Sequence, residues 1–316
     1  MFRIAIVGTG KIVGTHIRAI SNLPDVEIAA LCDINEDVVK PLAEENGVPY
    51  FLNYKDIPGN VECDAVLINL PHFLHCESTV FFLENGINVL LEKPMANSVE
   101  ECDKMIAAQN KSGKKLAIAH IMRFYTPIRQ VKEFIDSGEL GKLVMISDMR
   151  NEDYYNASRP RWFLTKKLSG GGVTMNFGAH FFDKMFYLIG EYPIEVHANC
   201  TNLKPEFDVE SNAQIFAKFP GGTSATFVVG GHQYIPQQCY YIFTGGAIRT
   251  DGMEISVMKK GETEWTALES TYDDKNFARE INSFIKYVHG EESDIPTSEY
   301  GREVISAIEK VFEGLR

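Results

Sequence analysis

The sequence predicts an α/β chain in two parts: a doubly wound parallel sheet over residues 1–120, then an α+β domain with a large, mostly antiparallel sheet over 121–316. Three observations carry this. Short β-branched runs alternate with helix-like segments in the first third, strand-like runs that alternate polar and apolar residues follow in the second half, and a glycine pair sits directly after the first run. The early runs are "RIAIVG", "VEIAALCD", "DAVLINL", "INVLLEK" and "KLAIAH", with helix-like segments at about 11–22, 36–46, 74–85 and 98–111 between them. Runs that are apolar almost throughout are expected of parallel strands covered on both faces, and strand–helix alternation builds βαβ units.

After His120 the rhythm changes. An amphipathic helix over about 126–136 stops at the glycines of "DSGELG", a strand spans 142–150, and an irregular stretch rich in Tyr, Arg and Asn follows. A helix opens after "SGGG" and runs to about 189. Strand-like runs then come in "EVHANCTNL", "SNAQIFAKF", "TSATFVVGG", "QCYYIFTG" and "MEISVMKK", separated by turn signals such as "PGG" and "TGG". Two helices, about 275–289 and 298–315, finish the chain.

Composition excludes several classes of partner. The formal charge of −12 comes with no compensating Lys/Arg cluster, which argues against nucleic acid and anionic membrane. No stretch approaches the roughly 18 apolar residues of a membrane span. The six cysteines are scattered singly, so neither a metal site nor a disulfide framework is expected, and free thiols fit a cytoplasmic protein.

"IVGTGKIVGTH" follows the first strand and opens the first helix. Gly8 would allow the tight turn and Gly10 the approach of a pyrophosphate to the helix N-terminus, as in a Rossmann dinucleotide site. The third glycine position holds Val13, with Gly14 one place late. Asp33 ends the second strand in "LCDIN", where a carboxylate accepts hydrogen bonds from a ribose 2′-hydroxyl and repels a 2′-phosphate. NAD is therefore expected over NADP; the alternative for Asp33 is that it caps the next helix.

Two further stretches, "INLPHFLH" and "LLEKP", close the fourth and fifth strands. Ligands of open doubly wound sheets collect at the carboxyl ends of strands beside the switch point. Lys93, in the Glu-Lys-Pro triplet, would there be a cation able to hydrogen-bond a reacting oxygen and stabilise its developing charge.

With these motifs the chain resembles the glucose–fructose oxidoreductase/inositol dehydrogenase/MocA family of NAD(P)-dependent oxidoreductases. The similarity continues through "RFYTPIRQVKEFIDSGELGKLV", "SGGGVTMNFGAHFFDKMFYLIG" and "FAREINSFIKYVHG", nearly end to end, and is weakest over 150–168 and 195–270. The resemblance implies a dehydrogenase acting on C–OH or C=O carbons of sugars or cyclitols, with Lys93 assisting hydride transfer, and a homo-oligomer, dimer or tetramer. It assigns Gly8, Gly10, Lys11, Ile12, Asp33, Leu70, His75, Glu92 and Lys93 to the cofactor, although His75 could simply start a helix. A nucleotide-sensing regulator without the chemistry and an NAD-dependent glycosidase are the alternatives within the family.

In the second domain Asn176, His180 and Asp183 stand at i, i+4 and i+7 of one helix, so they share a face. Amid Phe177, Phe181, Phe182 and Met185 they would line a cleft; a solvated helix edge is the other reading. His180 would exchange the hydroxyl proton. Asn176 stands where the family pattern has Asp, which argues against carrying over inositol as substrate. Arg123 matches a substrate-side position, or makes a salt bridge across the domain junction. Asp183 would contact a hydroxyl or brace the helix. Tyr234 and the "RPRWFL" stretch could supply specificity, with Trp162 equally readable as core.

Overall fold

The computed structural model describes residues 1–269 and 275–314. The chain opens with β1 (Phe2–Val7), α1 (Val13–Ser21), β2 (Val26–Cys32), α2 (Glu36–Asn46), β3 (Tyr50–Phe51), β4 (Ala65–Ile68), α3 (His75–Glu84), β5 (Asn88–Glu92), α4 (Val99–Ser112) and β6 (Leu116–Ala119). The strands form a six-stranded sheet in the order β3-β2-β1-β4-β5-β6, every pair parallel. Each residue of β4 is wholly buried, as strands covered on both faces require. Strand order reverses between β1 and β4, which is the switch point. The two-residue β3 escaped the sequence reading because it is too short to show a period.

The next elements are α5 (Thr126–Ser137), β7 (Leu143–Asn151), α6 (Lys166–Ser169) and α7 (Val173–Ile189). Seven strands follow: β8 (Glu195–Thr201), β9 (Asn212–Lys218), β10 (Ser224–Gly230), β11 (Ile235–Phe243), β12 (Gly246–Asp251), β13 (Glu254–Lys259) and β14 (Thr266–Ala267). With β7 they make an eight-stranded sheet, β14-β13-β12-β11-β7-β10-β9-β8, antiparallel except where β10 runs parallel to β7. One face carries Ile146, Ile215, Phe227 and Val229 into the core, where Phe227 stacks on Phe181 of α7 at 4.8 Å. The other face leaves Met145, Phe216 and Val228 exposed. β12 was not anticipated, since "TGGAIRTDG" reads as turn signals around three strand-prone residues.

The chain then returns to the first sheet. α8 (Asn276–His289) sets Phe284 edge-on to Phe2 at 6.5 Å, and the Ile118 amide donates to the Pro296 carbonyl at 2.9 Å. α9 (Ser298–Glu313) closes the described chain; the expected end of this helix at residue 315 lies outside the described residues. Two compact units result: Met1–Ile121 with Asp274–Arg302, and Met122–Asp273 with Glu303–Arg316. The contiguous second block expected over 121–316 is thus interrupted, because hydrophobic rhythm along a chain does not report which earlier element a late helix covers. Among the described residues no helix is long and apolar enough to cross a membrane.

The "SGGG" turn has a steric cause. A Cβ on Gly172 would stand 2.2 Å from the Glu210 backbone oxygen, while the Glu210 carboxylate accepts the Gly172 and Thr174 amides at 2.9 and 2.8 Å. That carboxylate satisfies donors at the opening of α7 and complements its dipole. Gly172→Ala is expected to cost about 1–3 kcal/mol, the range for overpacking against atoms that cannot rotate away. A urea midpoint equal to wild type would show that the 210 segment yields freely.

Candidate functional site

In the first unit, Gly8 has φ +97° and its Cβ would lie 2.6 Å from the Asn69 backbone oxygen, so the turn after β1 admits only glycine. Gly10 faces open space, with nothing within 4 Å of its would-be Cβ. That vacant approach beside the start of α1 suits a pyrophosphate. Lys11 is exposed and Ile12 half-buried at the same turn. Val13, in the place of the third glycine, is buried at the start of α1, and a Cβ on Gly14 would meet nothing closer than Arg18 Nη1 at 3.7 Å. Helix α1 thus starts without needing a glycine at either position.

Asp33, at the end of β2, is held by the glycine loop itself. Its Oδ2 accepts both the Thr9 amide and the Thr9 hydroxyl, at 2.7 and 2.8 Å, and its Oδ1 accepts the Asn35 amide at 3.0 Å. The cap of α2 is Asn35, which accepts the Asp37 amide, so capping is not what Asp33 is for. Thr9 was missed from sequence. A residue between two loop glycines gains meaning only once the end of β2 is known to lie beside it.

Beyond β4 and β5 stand His75 and the Glu-Lys-Pro segment. His75, expected at the cofactor, is wholly buried with its ring nitrogens 2.8 Å from the Leu70 carbonyl oxygen and 2.9 Å from that of Pro94. The ring lies between the two strand-end loops because α3 starts at this residue and turns its side chain inward; a neutral imidazole donates to one of the two carbonyls. The Lys93–Pro94 peptide is cis. Lys93 is half-buried. Glu92 Oε2 accepts the Lys93 amide at 3.1 Å, and Oε1 lies 3.0 Å from Nε2 of the buried His16. Burial pushes the Glu92 carboxyl up, but the His16 hydrogen bond and charge, with the charge and amide of Lys93, outweigh it and hold the group below the usual carboxylate range.

Burial, outweighing the two carbonyl contacts, lowers the proton affinity of His75 from its ordinary 6.5. An unfolded chain therefore takes up this proton at a pH where the folded one does not, and stability contributed by neutral His75 is complete above 6.5 and lost as pH falls below it. Melting temperatures of wild type and His75→Gln, compared from about pH 7.5 to about 5.5, should show the variant less stable at the upper end and the gap narrowing downward. A constant gap would mean that His75 contributes no linkage.

In the second unit, α7 is buried along almost its whole length, which excludes the solvated-edge reading of its polar stripe. Asn176 is buried in the first turn and His180 is partly exposed. Arg123 and Asp183 meet each other: Nη2 donates to Oδ1 at 2.6 Å, both side chains being buried. The guanidinium also lies over the Tyr187 ring at 5.1 Å. The Arg123–Asp183 salt bridge lies within the second unit and not across the domain junction. Tyr234 is 67 % exposed just before β11. Trp162 stacks on Phe163 at 3.8 Å and is half-buried.

A buried charge left alone costs far more than the pair. Arg123→Met should destabilise the protein by about 3–5 kcal/mol, and adding Asp183→Leu should recover part of that. Equal urea midpoints for wild type and Arg123→Met would remove the bracing role.

Comparison with known proteins agrees with this architecture. The profile of an oxidoreductase family, GFO/IDH/MocA, described as an NAD-binding Rossmann fold, matches residues 2–120, and the profile of the GFO/IDH/MocA C-terminal domain matches 128–249. Among curated proteins, the oxidoreductase YrbE of Bacillus subtilis is 28 % identical over 232 residues, covering 70 % of this chain and 64 % of its own. D-glucoside 3-dehydrogenase of Escherichia coli is 30 % identical over 192 residues, 60 % of this chain and 54 % of its own. The matches thus span less than two thirds of these relatives. The crystal structure of an aldose–aldose oxidoreductase from Caulobacter crescentus superposes with a TM-score of 0.90 at 23 % identity, over 99 % of this chain and 97 % of that one, which speaks for the fold.

Proposed function

Because the chain belongs to the GFO/IDH/MocA family of oxidoreductases, we propose that it is an NAD-dependent dehydrogenase or reductase acting at a C–OH or C=O carbon of a sugar, cyclitol or derivative. The observation that carries this is the grip of Thr9 on Asp33 beside the open approach at Gly10, in a unit that also presents Lys93 at the end of β5. D-glucoside 3-dehydrogenase, a sugar dehydrogenase among the relatives, supports the substrate class.

Gly8, Gly10, Lys11, Ile12, Asp33, Leu70, Glu92 and Lys93 would hold the dinucleotide. When bound, nicotinamide supplies the two-electron hydride chemistry. Asp33 discriminates by charge. Thr9 and Asn35 fix its carboxylate, lone pairs remain for a ribose hydroxyl, and a 2′-phosphate meets a preorganised anion. Lys93 hydrogen-bonds the reacting oxygen and stabilises the charge that develops on it. His180, the partly exposed member of the α7 stripe, exchanges the hydroxyl proton. Asn176 donates and accepts without charge, so substrate hydroxyls rather than cations suit it. The exposed row of Met145, Phe216 and Val228 supports a homo-oligomer built on the second sheet.

Parallel fluorescence titrations with NADH and NADPH, followed by a polyol and aldose screen, test the proposal. NADH is expected to bind more tightly. Lys93→Met should lower kcat by roughly 10²–10³-fold while leaving NADH affinity within a few-fold. Preference for NADPH would overturn the role of Asp33, and near-normal turnover in Lys93→Met would overturn that of the lysine.

A further inference from the structure

His16 belongs to the helix that opens with the glycine loop. It is wholly buried, with Nε2 3.0 Å from Glu92 Oε1 and the ring edge-on to Phe277 of α8 at 5.1 Å. Its Nδ1 has no hydrogen-bond partner among the described residues. A leucine would fill such a place without burying an unsatisfied nitrogen, which is costly. What histidine adds is a donor for one carboxylate. The other oxygen of that carboxylate accepts the Lys93 amide at 3.1 Å, so a two-bond bridge runs from α1 through Glu92 to the backbone of the lysine.

We infer that His16 is a positioning residue which, through Glu92, fixes the Lys93 backbone to the cofactor-cradling helix, a role that presupposes the oxidoreductase function proposed above. Displacement of a reacting group by about 1 Å costs on the order of 10²-fold in rate. In the proposed site most dinucleotide contacts lie on the glycine loop and Asp33, which the bridge does not touch, and only its Glu92 and Lys93 adjoin the cofactor. Its loss should therefore fall mainly on kcat, with a much smaller effect on NADH binding.

His16→Phe keeps ring bulk and removes the donor; His16→Gln places an amide N–H near the position of Nε2. In the full-length apoprotein, hydrogen exchange at the Lys93 amide should quicken by about tenfold in His16→Phe and return near wild type in His16→Gln. On the best substrate from the screen, His16→Phe should lose about 10–100-fold in kcat, with KM and NADH affinity within about threefold, and His16→Gln should recover most of the loss. If His16→Phe does not fold, His16→Met serves as the packing variant without a donor. Wild-type exchange and kcat in the packing variant would overturn the inference. A folded Gln variant no better than Phe would also do so, since ring packing on Phe277 would then be the whole of the residue's work. A wild-type protein that turns over no polyol or aldose defeats the proposed function, and the exchange measurement still judges the bridge.

Discussion

The crossing of Gly8 over Asn69 decides the geometry of everything around it. A side chain at residue 8 would drive its Cβ to 2.6 Å from a backbone oxygen, so β1 and β4 can end side by side only with glycine there. The Gly8 amide then reaches the Cys32 carbonyl and the Asn69 amide reaches that of Val7, both within 2.8 Å. With the three strand ends tied, Thr9 falls over Asp33 and α1 sets off at the angle that carries His16 to Glu92. A contact that forbids one methyl group thereby places the Asp33 carboxylate beside Thr9 and His16 beside Glu92.

Around that crossing the first unit buries polar groups that each tie two strand-end loops. His75 joins the loop after β4 to the one after β5, and His16 joins α1 to β5. Such groups cost desolvation and return little net stability. What they provide is definition: an apolar pair would tolerate sliding of the loops, whereas a hydrogen bond between fixed partners does not. Both bear on the Glu-Lys-Pro segment, to which the proposed function assigns the lysine at the reacting oxygen.

The sheet classes, nearly all helices and the glycine-loop turn were legible in the sequence, because each rests on local periodicity or on residue types with few conformational alternatives. Asp33 was legible for the same reason: it ends an unmistakable strand at a known distance from the loop. Thr9 and His16 were not, since their partners lie 24 and 76 residues away and only the folded sheet brings them together. The carbonyls around His75 and the Asp183 partner of Arg123 were not legible either, because contacts of buried polar groups are a property of the tertiary fold. The return of α8 to the first sheet was hidden likewise, for an amphipathic helix announces that it covers something without saying what.

Charge along α7 sharpens what its stripe can do. Its opening amides are taken by the Glu210 carboxylate, Asp183 faces the Arg123 guanidinium and Asp148 pairs with Lys184, so each of these acids is matched within the protein. Asn176 brings no charge at all. An aspartate at that position would add an anion one turn from the Glu210 carboxylate and would draw a proton onto His180, raising its basicity. For the sugar or cyclitol substrate proposed, Asn176 on this helix offers hydrogen bonds to neutral hydroxyls and no charge.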